Sequence, residues 1–236
     1  MSRKIVGRNL EKEKLEEALN SHRSELIAIY GRRRIGKTYL IREFYSKNIT
    51  FGFSGLRNGI RQDQIENFMI ELREATNKFQ GERPQNWLQA FNILKQYLKG
   101  IRETRKKKVI FIDEFPWLDT RKSFFLSAFD NFWNSYASKR DDLVVVICGS
   151  AASYMIKKII KNKGGLHNRL RRRIQLIPFN LHETEQLLKQ NRVNLTRYDI
   201  LQLYMAIGGV PHYLEKVLPG ESVAQALDRL CFDKNG

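Results

Sequence analysis

Cysteine and proline are scarce in the 236 residues: two of the first, five of the second. Two cysteines build no disulfide framework, and Cys148 and Cys231 read as reduced packing residues of a cytosolic protein. Long apolar runs are absent. The longest, Leu143–Cys148, is about a third of what a membrane span needs. No apolar stretch stands behind the basic residues of Met1–Arg8, so the N-terminus does not read as a secretion signal. Low-complexity tracts and internal repeats are lacking too. These absences disfavour a disulfide-stapled secreted scaffold and a membrane protein, and the expectation is a cytoplasmic chain without membrane contact. Acidic residues are also short, at 25 against 42 Lys and Arg, a net charge of +17. Such a surplus favours an anionic partner, nucleic acid first.

What remains is a globular composition, 42% hydrophobic and 28% charged, in a chain long enough to bury roughly 70–75% of its unfolded surface. A helix is expected over residues 10–20, with Leu15, Ala18 and Leu19 on one face and Asn9 as its cap. Leu26–Tyr30 reads as a buried strand, Lys37 to about Tyr45 as a helix, and Ile49–Phe53 as a second strand. Two amphipathic helices follow, one marked by Ile65, Phe68, Met69, Leu72, Thr76 and Phe79, the other by Trp87, Ala90, Phe91, Leu94 and Leu98. Val109–Ile112 is the next strand. An aromatic helix with Phe125, Phe129, Phe132, Trp133 and Tyr136 on one side separates it from the strand Leu143–Cys148. After a basic helix, Arg173–Ile177 is the last strand, stopped at Pro178. Strands alternating with helices predict an α/β fold with a parallel sheet covered on both faces. From about Leu181 the pattern is helical only, over 183–190, 196–207, 211–217 and 221–231. The organisation predicted is a core over 1–180 and a small helical lid over 181–236, which a winged helix could follow.

Within this frame, Gly31-Arg32-Arg33-Arg34-Ile35-Gly36-Lys37-Thr38 has the Walker A spacing between a buried strand and a helix. The two glycines let the backbone curl so that its amides face phosphates, and the following helix adds its positive end. Lys37 is expected to reach the β- and γ-phosphates, and the Thr38 hydroxyl to ligate Mg²⁺. Tyr39 belongs to the same segment. Val109-Ile-Phe-Ile-Asp113-Glu114 reads as a Walker B strand, with Asp113 on the metal and Glu114 as general base towards water. The chain lacks an Asn-Lys-x-Asp motif for reading guanine, so ATP is expected rather than GTP. Ser150, at the tip of the Leu143–Cys148 strand, is either a sensor of the γ-phosphate or merely a cap for the next helix.

With these residues placed, the chain resembles the archaeal-type ATPase family, a relative of the STAND and origin-recognition-like AAA+ ATPases. Ile5-Val6-Gly7-Arg8 is similar to the segment that opens these proteins and touches adenine, with Asn9 where the family usually has Glu. Ile29 to Thr38, Phe111-Ile-Asp-Glu-Phe115 and Ile147-Cys-Gly-Ser150 are close to the family's wording. His167-Asn168-Arg169 and Pro178-Phe179 resemble its Tyr-Gly-Arg segment and Pro-Phe ending, and only Arg169 carries over from the first. Gly208-Gly209-Val210-Pro211 looks like the Gly-x-Pro of the helical lid, whose proline packs on adenine. From the residues alone, Pro211 is an ordinary first-turn helix proline. The resemblance implies a P-loop core of strand order 5-1-4-3-2 under a helical lid.

Residues 151–173 carry Lys157, Lys158, Lys161, Lys163, Arg169, Arg171, Arg172 and Arg173 and no acid. Three readings stay open. The basic 157–173 stretch binds the backbone of double-stranded DNA; or Arg169 acts as an arginine finger on the next copy of a homo-oligomer; or the stretch is a solvated face. A second run, Arg102 with Arg105–Lys108, reads as a solvated helix end. The activity expected is Mg²⁺-dependent ATP hydrolysis driving a conformational switch. The alternative is a nucleotide-gated regulatory switch that hydrolyses little by itself and signals through protein partners.

Overall fold

The computed structural model describes residues 4–76, 83–160 and 169–233. Five strands, β1 (Glu25–Tyr30), β2 (Ile49–Ser54), β3 (Lys108–Asp113), β4 (Leu143–Gly149) and β5 (Arg172–Gln175), form one parallel sheet in the order β2-β3-β4-β1-β5. This is the predicted order 5-1-4-3-2, read from the other edge. The three inner strands, β1, β3 and β4, read as near-continuous apolar runs because both faces are covered, whereas the edge strands β2 and β5 are buried only at intervals. Leu26 and Ala28 enter one apolar layer while Ile27 and Ile29 enter the other, and Ile110 and Ile112 alternate likewise with Val109 and Phe111.

One layer is closed by α1 (Asn9–Asn20) and α2 (Lys37–Phe44), through Leu15, Ala18, Leu40 and Ile41. The other holds α3 (Arg61–Thr76), α4 (Trp87–Gly100) and α5 (Phe125–Ser135). Their aromatic residues meet edge-on, with Trp87 and Phe115 each 4.9 Å from the Phe125 ring. Each such fully buried side chain stabilises the layer by about 1.5–3 kcal/mol.

Beyond β4 come a short turn of helix, α6 (Ala152–Tyr154), a wider turn over Met155–Ile160, and, after β5, four helices. These are α7 (Leu181–Gln190), α8 (Arg197–Ile207), α9 (Pro211–Leu214) and α10 (Val223–Leu227). Phe179, Leu188, Leu203 and Leu214 gather them around a separate apolar cluster. Reciprocal capping boxes start three of them, at Asn180/Glu183, Thr196/Asp199 and Ser222/Gln225.

Several expectations need correction. Asn9 does not cap α1: it is the first helical residue, and Arg8 precedes it in a left-handed conformation (φ 55°) without a side-chain cap. The strand expected at Arg173–Ile177 runs Arg172–Gln175; Leu176 still donates to Tyr30, but Ile177 is exposed. The run Arg102 with Arg105–Lys108 is solvated only in part: Arg102, Arg105 and Lys106 are exposed as expected, but beyond the helix, and Lys107 and Lys108 are not. α4 stops at Gly100, Lys107 is buried with its ammonium donating to the carbonyls of Arg23 and Asp141, and Lys108 pairs with Asp142. Cys148 is buried as expected, whereas Cys231 is exposed and packs nothing away. Phe79, Lys161, Lys163, His167 and Asn168 lie outside the described residues.

Candidate functional site

The carboxyl ends of β1, β3 and β4 bring the motifs together, the place where open α/β sheets put ligands. Between β1 and α2 the loop has room for nothing larger than glycine at residue 31. A Cβ there would stand 2.3 Å from the Leu176 carbonyl, at a φ of +150°. Gly36 (φ 86°) turns the chain into α2, so the first-turn amides of an eight-residue helix open onto the cleft. The Lys37 ammonium donates to the carbonyls of Gly31 (3.0 Å) and Arg32 (2.8 Å), holding the loop curled. Burial lowers its pKa from the ordinary lysine value, while Glu114 and Asp113 nearby work the other way.

Thr38 and Asp113, far apart in sequence, meet: the threonine hydroxyl donates to Asp113 Oδ2 at 2.6 Å. The other carboxylate oxygen accepts from the Glu114 amide at 2.8 Å, which fixes the Asp113 side chain. A hydroxyl and a carboxylate oxygen meeting in this way are hard donors of the kind that suit Mg²⁺. Among the described residues there is no cluster of three or more His, Cys, Asp and Glu able to hold a metal. An ion here would therefore rest on Thr38, Asp113 and the oxygens of its own ligand.

Glu114 sits in the left-handed region (φ 43°), directing its side chain off the line of β3. Because β4 lies between β1 and β3, Ser150 reaches it, its hydroxyl donating to Glu114 Oε2 at 2.9 Å. The capping alternative for Ser150 does not hold, since α6 begins behind Ala151 without a side-chain cap. Beside this group opens a cleft of about 560 Å³, walled by Arg33, Arg34, Lys37, Thr38 and Glu114. Four further walls escaped the sequence reading: Arg57, Trp117, His212 and Glu215. Arg57 stands three residues past β2, in a loop at the same carboxyl edge, and that edge rule alone could have found it. Trp117 takes the Arg33 guanidinium over its ring at 5.8 Å.

Next to the cleft is a narrower apolar pocket of about 40 Å³, room for little more than a water. Val6, Ile35, Tyr39 and Leu40 line it on one side, Phe179 and, from the C-terminal helices, Leu187 and Pro211 on the other. Pro211 is thus both the first residue of α9 and a wall of both cavities. Gly7 and Arg32 are not among the wall residues. Gly7 (φ 56°) instead lets Glu183 approach, whose carboxylate would strike any Cβ there. Arg8 is buried; its guanidinium lies 4.6 Å from the centre of the Phe179 ring and donates to Ile35 O at 3.2 Å, while its amide donates to Glu183 at 2.9 Å. Burial lowers its pKa, with Glu11 and Glu183 opposing. A second clasp joins the β1–α2 loop to α9, Arg34 Nη1 donating to the Tyr213 hydroxyl at 3.1 Å.

Arg169 stands apart from this assembly, its guanidinium ion-paired with Asp130 on α5. Arg172 of the basic stretch is likewise taken up by Glu17 and Glu25.

Comparison with known proteins shows the family and the fold. The model of a family described as an ATPase domain predominantly from Archaea matches residues 5–217. An uncharacterised protein of Methanocaldococcus jannaschii is 29% identical over 215 residues, which is 90% of this chain and 44% of that relative. The chain therefore spans less than half of that protein's length. Solved structures that share the fold include the following two. The Walker-type ATPase paby2304 of Pyrococcus abyssi gives a TM-score of 0.64 at 18% identity, over 96% of this chain and 71% of its own. The Aeropyrum pernix ORC2 protein, in complexes with ADPNP and ADP, gives 0.65 at 15%, over 97% and 69%.

Proposed function

We propose that this chain, which belongs to the family of ATPase domains found predominantly in Archaea, binds Mg²⁺ and ATP at Gly31–Thr38 and hydrolyses the nucleotide to move its helical lid. The observation that carries the reading is the meeting of Thr38 with Asp113, at 2.6 Å, beside a Glu114 held by Ser150. In this account the loop amides and Lys37 bind the phosphates, and Thr38 and Asp113 hold the ion. Magnesium, when bound, offsets charge on the phosphate oxygens. Glu114 accepts a proton from water as the water oxygen bonds to the γ-phosphorus and the bond to the β–γ bridging oxygen breaks, leaving ADP and phosphate. Ser150 orients the Glu114 carboxylate.

The adjoining apolar pocket is the natural seat of the base, between Val6 and Pro211. At about 40 Å³ it is too small for a purine as it stands. Nucleotide entry therefore requires α7 and α9 to shift from the core, and the contacts of Arg8 and Arg34 with the lid carry that shift to the phosphate loop. A second reading, a regulatory switch with little turnover alone, draws support from Arg169: bound to Asp130, it adds no charge to the chain's own cleft. For Arg169 to act on a neighbouring copy it must leave Asp130, and Arg169→Ala tests this through the dependence of turnover on protein concentration. Double-stranded DNA remains a proposed partner on the strength of the +17 charge and the exposed Lys157, Lys158 and Arg171.

The test is phosphate release from ATP by wild type and Thr38→Ala, with Mg²⁺ or EDTA, with and without duplex DNA. Release that needs both Mg²⁺ and Thr38 is expected, and any DNA stimulation identifies that partner. Release that persists in EDTA contradicts the assignment of the ion.

A further inference from the structure

Two acidic side chains face the cleft, and only Glu114 has a part in the proposed hydrolysis. The other, Glu215, is harder to explain by phosphate binding, because a carboxylate repels a polyphosphate. Among the described residues no cation pairs with it, and its side chain is exposed. Its position is distinctive. The apolar pocket and the phosphate cleft are separate spaces that share four wall residues: Gly36, Tyr39, Pro211 and Glu215. If the base lies in the first space and the phosphates in the second, the shared wall faces the sugar between them.

Of those four, Gly36 offers backbone only and Pro211 a saturated ring. Tyr39 offers a phenol, which can give or take one hydrogen bond. Glu215 alone carries two acceptor oxygens with no proton of its own to place, which matches a vicinal diol with two O–H donors. The fold holds it there. Glu215 follows Pro211 by four residues, and its amide donates to the Pro211 carbonyl at 2.9 Å, so both side chains lie on one face of α9.

Resting on the nucleotide reading, we infer that Glu215 is a specificity-determining residue that accepts hydrogen bonds from the ribose hydroxyls, so that this site selects ribonucleotides over deoxyribonucleotides. When the lid moves, Glu215 and Pro211 move together, and sugar contact is made in the same step as base contact.

The test is calorimetric titration of the full chain with ADP, 2′-deoxyADP and 3′-deoxyADP, on wild type, Glu215→Ala and Glu215→Gln. Wild type should prefer ADP to at least one deoxy analogue by about three- to tenfold, the range of a single hydrogen bond. Glu215→Ala should lose that preference by weakening ADP and not the analogue. Glu215→Gln, which keeps a carbonyl acceptor without the charge, should retain part of it. Equal affinity of wild type for all three ligands overturns the inference and leaves the nucleotide reading standing. So does equal tightening of all three in both variants, which marks Glu215 as a repulsive charge only. Failure of wild type to bind any of them overturns the nucleotide reading, and this inference with it.

Discussion

The hydroxyl of Ser150, at the tip of β4, donates a 2.9 Å hydrogen bond to Oε2 of Glu114, at the tip of β3. The two residues come from neighbouring strands, so the sheet itself sets their separation. A base aimed by one neighbour should lose rate when that neighbour is removed, without losing its ligand. Ser150→Ala is expected to lower kcat for ATP about tenfold while leaving the Kd for ATP within about threefold, because the lost contact acts on the transition state. Steady-state kinetics beside equilibrium titration separates the two effects. A weakened Kd with kcat intact would instead place Ser150 on the ligand.

The turn between α8 and α9 has no spare room at Gly209. A Cβ there would stand 1.8 Å from the Phe179 carbonyl oxygen, which the structure keeps close through a 2.6 Å bond from the Phe179 amide to Gly209 O. Gly209→Ala must displace one backbone from the other. The cost expected is about 1–3 kcal/mol, a fall in Tm of roughly 3–10 °C by calorimetry. Nucleotide affinity should fall with it, because Pro211 and Glu215 follow directly. A variant with unchanged Tm and affinity would show that the joint adapts at no cost.

At the amino ends of β3 and β4 Asp142 is buried between Arg140 (2.8 Å) and Lys108, and Arg140 also donates to the carbonyls of Leu98 and Ile101. Burial alone would raise the Asp142 pKa. The hydrogen bonds from Arg140 and Lys108 outweigh it and hold the carboxyl below the ordinary aspartate range. A carboxyl depressed on folding contributes stability above its unfolded pKa, about 3.9, and loses it as pH falls through the folded value. Asp142→Asn should therefore cost about 3 kcal/mol at pH 7, the scale for breaking a buried pair. Its stability should also decline less than wild type's below about pH 4. Denaturant titrations at pH 7 and pH 3 check both statements; a constant difference between the proteins at the two pH values contradicts the linkage.

Much of the core was legible because each buried strand is a continuous apolar run that stops at a functional residue: β1 before Gly31, β3 at Asp113, β4 just before Ser150. The phosphate loop and the acidic pair are contiguous in sequence, so spacing alone finds them. What spacing cannot find are walls supplied by distant loops. Arg57, Trp117, His212 and Glu215 reach the cleft only because the parallel sheet and the lid carry their segments there. The boundaries that failed did so for local reasons. Asn9 could not cap because Gly7 and Arg8 take left-handed conformations that bring Glu183 onto the chain. A charge run such as that of Lys107 predicts a solvated face because most are, whereas two carbonyls satisfy this ammonium inside the protein.

The most direct measurement compares wild type with Glu114→Gln, following ATP binding by titration and phosphate release in the steady state. Glutamine keeps the size of the side chain and a carbonyl for the Ser150 hydroxyl but cannot take a proton. Both proteins are expected to bind ATP with affinities within about threefold, and the variant's turnover to fall by about 10²–10⁴-fold, the range of general-base catalysis. Equal turnover in the two would contradict the role given to Glu114 and move the chemistry elsewhere in the cleft.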